Sequence, residues 1–512
     1  MLSLTASTMC AVASRLTQRD HAALACAHPV LLEGAGEWWT SAELSIDSQK
    51  SADDFQAWVD RVKPGLKRLR VEFAAVGPNT YPDYPDIPKP ECMDHLTIFH
   101  RHNDGAHVHS AALADFIQKF PNLQSLEMYA AMDVMDDDVL PKPAFPMNEY
   151  DPTMGSFIST DDLDRILRAC PKLIKLTVSV TSVENISLAN LEDLTLCIKD
   201  SPALVDLTGC PNLGTLRLEG YMNDNSIGTI LCPPATHTLT AVNFTDVDTL
   251  SAPGLVDARF KWIGTHERNT GMHAIAEGNL GISKATAKNI KSLWISFSSF
   301  EDSHDSFPLM TGIESLTMEE LDDSPDCTSP DGWMSRLVNL KKLIFIDVAH
   351  CTPCFPKGRL EFLELSDLEV LPGDLAGMPA LKHLCMNHYD FHHDFFPEVA
   401  GIKELVLYGS VLPDSDWGVL SPSLETLVFR FHDYEQDSKQ ELEAANWPRR
   451  YLDIPGVKTM LLETPQGWDW VLPMVEDLPP DTYAMHSFIH PTMITYTHGG
   501  TQRMTVTQIR KV

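Results

Sequence analysis

The stretch Cys210–Leu218, CPNLGTLRL, sets the strongest limit on how this chain folds. Its leucines Leu213, Leu216 and Leu218 fall in the pattern L-x-x-L-x-L. Side chains alternate across a strand, so Leu216 and Leu218 share one face. Leu213 enters the same core from the preceding turn. A unit this small cannot bury its apolar face alone, so copies must stack on one another.

The copies are there. FPNLQSLEM places Leu123, Leu126 and Met128 in the same register, and CPKLIKLTV places Leu173, Leu176 and Val178. LEDLTL follows from Leu191, IKSLWI from Ile290, IESLTM from Ile313 and LKKLIF from Leu340. The cleanest run starts at Leu360, Leu381, Ile402 and Leu424, at steps of about 21, 21 and 22 residues. Weaker copies start at Leu66, Met93, Leu239, Leu255 and Val457. The line resembles the leucine-rich repeat, whose period is roughly 20–29 residues. The resemblance implies an α/β solenoid, a horseshoe with a parallel concave sheet and helices on the convex side.

Composition bounds the rest. With 44% hydrophobic and 21% charged residues, the 512-residue chain is globular rather than disordered. A formal net charge of −32 repels phosphate backbones, so nucleic acid is not an expected partner. No apolar run reaches the roughly 18 residues of a membrane helix, so no membrane association is expected. The 11 cysteines are odd in number and scattered. Cys170, Cys197, Cys210 and Cys385 sit in or beside repeat strands and read as small buried hydrophobes. Together these point to a reducing compartment, the cytoplasm and/or nucleus.

Residues 1–39 are not a repeat. Val12, Leu16, Ala23, Leu24 and Ala27 fall at helical spacings with a polar break at Thr17–Arg19. VASRL, TQRD with Asp20, HAALACAHPVL and Trp38-Trp39 resemble successive parts of the F-box. The family's opening Leu-Pro-x-Glu is missing at Leu4–Ser7. Two other readings are a plain helical cap for the open end of the array and a signal peptide ending near Ala13. The resemblance implies a Skp-type adaptor and a cullin–RING core as partners, contacted through Val12, Leu16, Asp20 and Leu24. It would make the chain the non-catalytic substrate receptor of an SCF-type ubiquitin ligase. The alternative is a leucine-rich-repeat interaction scaffold with no ligase.

The expected order is an F-box-like module at 1–45, a solenoid at 46–476 and a cap at 477–512, with insertions near 73–92 and 132–155. Ser51–Val62 reads as an amphipathic helix with Ser51 as cap and Phe55, Trp58 and Val62 as its stripe. Helices are also expected at 110–120, 160–170, 331–338 and 436–446. The segment 262–288 shows no clear strand.

No phosphate loop, nucleophile elbow or zinc motif is present, so no catalysis, cofactor or metal is expected. Cys351-Thr-Pro-Cys354 lacks a second pair, and His388, His392 and the His100–His109 group read as surface histidines. Asn185-Ile-Ser187 and Asn243-Phe-Thr245 fit the glycosylation triplet at chance frequency. Function is therefore expected on the x positions of the concave sheet. Trp294, Phe362, Glu404, Val406, Tyr408 and Arg430 are the candidate contacts for a protein substrate. They combine interface-prone residue types with exposed apolar area.

Overall fold

A computed structural model describes residues 40–62, 64–74, 83–102, 110–132, 157–221, 225–244, 246–261, 280–296, 310–319, 336–346, 355–356, 358–366, 375, 377–387, 401–408, 423–430, 456–465, 483–489, 494–495, 501–502 and 504–511. The chain forms two compact units, Met1–Leu255 and Val256–Val512. The F-box-like residues Val12, Leu16, Asp20 and Leu24 lie outside the described residues. So do the body of the 132–155 insertion, the helices expected at 331–338 (but for its last residues) and 436–446, Cys351–Cys354 and His388–His393.

In the first unit the elements run β1 (Ser41–Ile46), α1 (Gln49–Val62), β2 (Arg68–Ala74), a single tight turn at Pro90–Cys92, β3 (His95–His102), α2 (Ser110–Ile117), β4 (Ser125–Met132) and α3 (Thr160–Ala169). Then come β5 (Lys175–Val180), β6 (Asp193–Ile198), β7 (Leu204–Asp206), β8 (Thr215–Gly220), β9 (Ser226–Leu231), β10 (Thr238–Val242) and β11 (Asp246–Ser251). β1, β2, β3, β4, β5, β6, β8 and β10 pair in that order, every pair parallel. Among the described residues the first strand of the sheet starts at Ser41.

The register is the one the leucines require. Leu69, Leu96, Leu126, Leu176, Leu194, Leu216 and Leu239 form one row across the strands. All are buried. The turn ahead of the strand explains why Pro and Asn recur before the leucine, as in FPNL, CPKL and CPNL. Leu213 N–H closes the turn on the Cys210 carbonyl at 3.0 Å, with Pro211 at the position where its fixed φ suits a β-turn. Asn212 Nδ2 donates to Ala189 O of the preceding repeat at 2.8 Å, and Asn190 and Asn122 donate likewise to Pro171 O and Glu91 O. Cys210 Sγ reaches Ile186 O at 3.3 Å. Burial pushes the thiols of Cys170 and Cys232 up to about 12; Cys170 is buried as its reading as a packing residue requires.

The structure corrects four details. The copy read as starting at Leu239 starts at Thr236, because Leu239 pairs with Leu216. Thr236 fills the first leucine position, fully buried, and its hydroxyl donates to Leu213 O at 2.9 Å. Second, not all connections are helical. β7, β9 and β11 pair in parallel as a separate small sheet, burying Val205, Ile227, Ile230, Val247 and Leu250. The buried residues of β9 and β11 fall three apart, Ile227 with Ile230 and Val247 with Leu250, in runs of at most six residues that carry Gly and β-branched residues, which favours strands over helices. Gly228 lies so close to Ala203 O that a Cβ would sit 2.3 Å from that oxygen. Third, α1 starts at Gln49 and is capped by Ser48, whose Oγ accepts from Ser51 N. Its buried stripe is Ala52, Val59 and Val62, leaving Phe55 and Trp58 half-exposed and stacked at 5.5 Å. α3 is capped by Ser159. Burial works against ionisation of Asp162, but hydrogen bonds from Ser110, Ser159 and Arg165 outweigh it and lower its pKa. The fourth correction is that His100 is a core residue rather than a surface one. It is stacked on Phe73 at 5.7 Å and lies 3.1 Å from Tyr84 Oη through Nε2.

In the second unit the elements are β12 (Asp257–Lys261), β13 (Leu280–Ile282), α4 (Lys284–Ala287), β14 (Ser292–Ser296), β15 (Ser315–Glu319), β16 (Lys342–Ile346), β17 (Phe362–Ser366) and β18 (His383–Asn387). β19 (Glu404–Tyr408), β20 (Thr426–Arg430), β21 (Thr459–Pro465), β22 (Tyr483–Ile489), β23 (Ile494–Thr495), β24 (Thr501–Gln502) and β25 (Met504–Lys511) complete it. β13 and α4 fall in the stretch where the sequence showed no clear strand. From β12 through β14 to β21, consecutive strands pair in parallel. β25 then pairs antiparallel with β21, and β22 with β25. Leu363, Leu384, Leu405 and Leu427 are row neighbours and buried. Replacing Leu384 by Ala should therefore cost about 2–5 kcal/mol in denaturant unfolding. A loss under about 0.5 kcal/mol would show that the row does not carry the core.

Candidate functional site

Each parallel sheet turns its leucine rows to the core and its x positions the other way. In the second unit these x positions form three rows, because register is kept from strand to strand. The first runs Ser292, Ser315, Lys342, Phe362, His383, Glu404, Thr426. The second runs Arg259, Trp294, Thr317, Ile344, Glu364, Cys385, Val406, Val428, Leu461. The third ends in Asn387, Tyr408, Arg430, Glu463. Strands about 4.8 Å apart put row neighbours in contact range.

Trp294 and Phe362 are both half-buried on this outward face, each under a lysine. Lys261 Nζ lies 5.5 Å from the Trp294 ring centre, and Lys342 Nζ lies 5.0 Å from that of Phe362. The stacked cations hold the rings in place and keep them wetted at the edge. The His383 ring stands 6.1 Å from Phe362, and its Nδ1 is 3.4 Å from Glu404 Oε1. Glu404 is thus engaged along its own row.

Val406 departs from the expectation. It was read as exposed apolar area, yet it is only 7% exposed, beside Cys385 and Val428 at 3% each, with Leu461 packed against them. Short apolar side chains on adjacent strands pack laterally into a seam, which withdraws them from solvent. Arg430 is also committed within the chain. Its Nε donates to Glu463 Oε2 at 2.5 Å, and the two side chains are 21% and 15% exposed. Glu463 is the corresponding x residue of the copy that starts at Val457, so the pairing was readable from the repeat spacing. Of Tyr408 the structure gives the backbone, which pairs with Asn387 and Arg430. The six candidates therefore lie at outward register positions of one sheet, but Trp294 stands apart, three strands from Phe362, whereas Phe362 is two strands from Glu404 and linked to it through His383.

The first unit's outward face has another character. Lys175 Nζ meets Glu127 at 2.6 Å, Arg70 meets Glu43 at 3.2 Å, and Arg217 bonds Glu219. Thr177, Thr195, Thr215, Thr238 and Thr240 supply hydroxyls between these charges. Burial raises the Asp193 carboxyl, with Lys175 opposing. Desolvation takes the Cys197 thiol up to about 12, with Glu219 adding to the rise. Among the described residues no group of three or more His, Cys, Asp or Glu side chains is placed to hold a metal ion. No helix among them is long and apolar enough to cross a membrane.

The Arg430 contact changes the expected behaviour of that residue. Arg430→Ala leaves Glu463 half-buried without its cation and should cost about 1–3 kcal/mol in thermal or denaturant unfolding. Arg430→Met together with Glu463→Leu should recover most of that loss. If Arg430→Ala unfolds like the parent chain, the pair is not a structural contact.

No protein-family model matches the chain, and no curated protein matches it. Among solved structures, an internalin from Listeria monocytogenes is 13% identical, covering 62% of this chain and 78% of that one, with a TM-score of 0.30. The TLR13–ssRNA13 complex is 13% identical, covering 81% of this chain and 62% of that one, with a TM-score of 0.44. At these identities and TM-scores neither match carries the fold assignment, which rests on this chain's own geometry. The constant register, the leucine rows and the turn hydrogen bonds make each unit a leucine-rich-repeat solenoid.

Proposed function

We propose that this chain is a non-catalytic interaction scaffold that docks a protein partner on the outward face of its second unit's sheet. The observation that carries the reading is the pair of half-buried aromatics, Trp294 and Phe362, each held under a lysine on a register-locked face. Large amphipathic side chains fixed in place lose little freedom on binding and anchor interfaces. Cys385, Val406 and Val428 are already packed and serve as the floor beside the anchors rather than as contacts.

The test is proximity labelling with the full chain beside the Trp294→Ala, Phe362→Ala double variant. The double variant should lose its strongest partners while its unfolding midpoint stays close to the parent's. An unchanged partner set would remove the site from this face.

A narrower reading makes the scaffold the substrate receptor of an SCF-type ubiquitin ligase, working in the cytoplasm or nucleus. Its support is the F-box-like sequence VASRL, TQRD and Trp38-Trp39, with Val12, Leu16, Asp20 and Leu24 as adaptor contacts. Deleting residues 1–39 should then abolish co-purification of a Skp-type adaptor and cullin and leave the partners of the sheet face in place. If adaptor and cullin are absent with the full chain as well, the scaffold acts without a ligase.

A further inference from the structure

The start of the second unit's sheet presents a graded surface. Arg259 on β12, Trp294 on β14, Thr317 on β15 and Ile344 on β16 are successive row neighbours. The next row runs Lys261, Ser296, Glu319, Ile346 over the same strands. One end is therefore cationic, the middle aromatic and the far end aliphatic. Arg259 projects, with its side chain 56% exposed. Two acids share the patch, and both sit lower. Asp257 is 30% exposed with Oδ1 buried, and its Oδ2 is 3.6 Å from Arg259. Glu319 is half-buried, its carboxyl raised by burial with Lys261 opposing. What reaches solvent first is positive, on a chain whose net charge is −32.

Resting on the scaffold reading, we propose that this patch takes an extended peptide segment with an acidic residue followed at fixed spacing by a large apolar one. The acid meets Arg259 and Lys261, the backbone crosses Trp294, and the apolar side chain lies on Ile344 and Ile346. The sheet sets the spacing. From β12 to β16 there are three strand steps of about 4.8 Å, or roughly 14 Å. An extended chain advances about 3.3 Å per residue, so the apolar residue comes about four positions after the acid. At that separation both side chains point to the same side of the peptide. The rest of the chain's negative surface repels acidic segments, which confines them to this patch and makes the association salt-dependent.

The experiment is fluorescence anisotropy with the full chain and labelled Gly/Ser peptides carrying one Glu and one Leu at that spacing. Comparison peptides move Leu one residue closer, which turns it to the opposite side, or replace Glu by Lys. The Glu peptide should bind at least about tenfold tighter than either, and added salt should weaken it. Arg259→Glu with Lys261→Glu should invert the preference toward the Lys peptide. Arg259→Gln, at an exposed position, reduces the preference and serves if the reversal variant does not fold. Equal binding of all three peptides, no binding of any, or a preference untouched by these substitutions overturns the proposal. If the Trp294 and Phe362 substitutions still remove labelled partners in that event, the scaffold reading stands and only the peptide class is wrong. If those substitutions leave the partner set intact, the scaffold site itself has failed.

Discussion

The carbonyl just ahead of each strand accepts two amides from the following repeat, and the leucine rows depend on that arrangement. Lys341 O takes the N–H groups of Glu361 and Phe362, and Glu361 O takes those of Lys382 and His383. Lys382 O and Lys403 O continue the series, and in the first unit Glu192 O takes Gly214 and Thr215. The shared acceptor fixes where every strand begins relative to its neighbour. A slip by one residue would turn every leucine to the outward face, so register and core are specified together. The preceding turn adds a second tie through Asn212, Asn190 or Asn339, each donating to a carbonyl one repeat earlier.

A constant register has a second consequence, on the opposite face. Residues at equal positions in successive repeats become neighbours, so their chemistry adds along a row. In the second unit the residue ahead of each strand alternates in charge over part of its length. Glu314 lies between Lys291 and Lys341, at 3.7 and 2.6 Å, and Lys382 bonds Glu361 at 2.8 Å. These exposed pairs each contribute little to stability. Their effect is to disfavour a displaced register, in which like charges would face each other. Farther onto the face, the same rule gathers Cys385, Val406, Val428 and Leu461 into a seam.

The repeats were legible because the leucines recur at a spacing only a stacked strand satisfies. What escaped was set by residues that break the pattern or act across it. Thr236 stands where the line calls for leucine, and a buried hydroxyl satisfied by Leu213 O gives no apolar signal. The small sheet of β7, β9 and β11 lies in connections without two-residue alternation, the buried residues of β9 and β11 falling three apart. Val406 was rightly placed on the outward face, but its burial depends on the small side chains at 385 and 428. The Arg430–Glu463 bond needed the weak copy at Val457 to be given the same weight as the strong ones. Residues 1–39 carry no repeat, so nothing in the periodicity bears on them.

The two halves of the second unit's outward face have therefore come to differ in what they can do. From β18 to β21 that face is itself packed, with a seam under 10% exposed at Cys385, Val406 and Val428 and an ion pair beside it. A substitution there alters stability as well as surface, and a stability change alone would mimic a loss of binding. From β12 to β17 the side chains are larger and less buried: Arg259, Lys261, Trp294, Ile344 and Phe362 are exposed or half-buried. Their backbones are held by the leucine rows beneath, so their identities can change without disturbing the core. The proposed docking on β12 to β17 draws on side chains that can vary at constant register, whereas a change between β18 and β21 also alters packing.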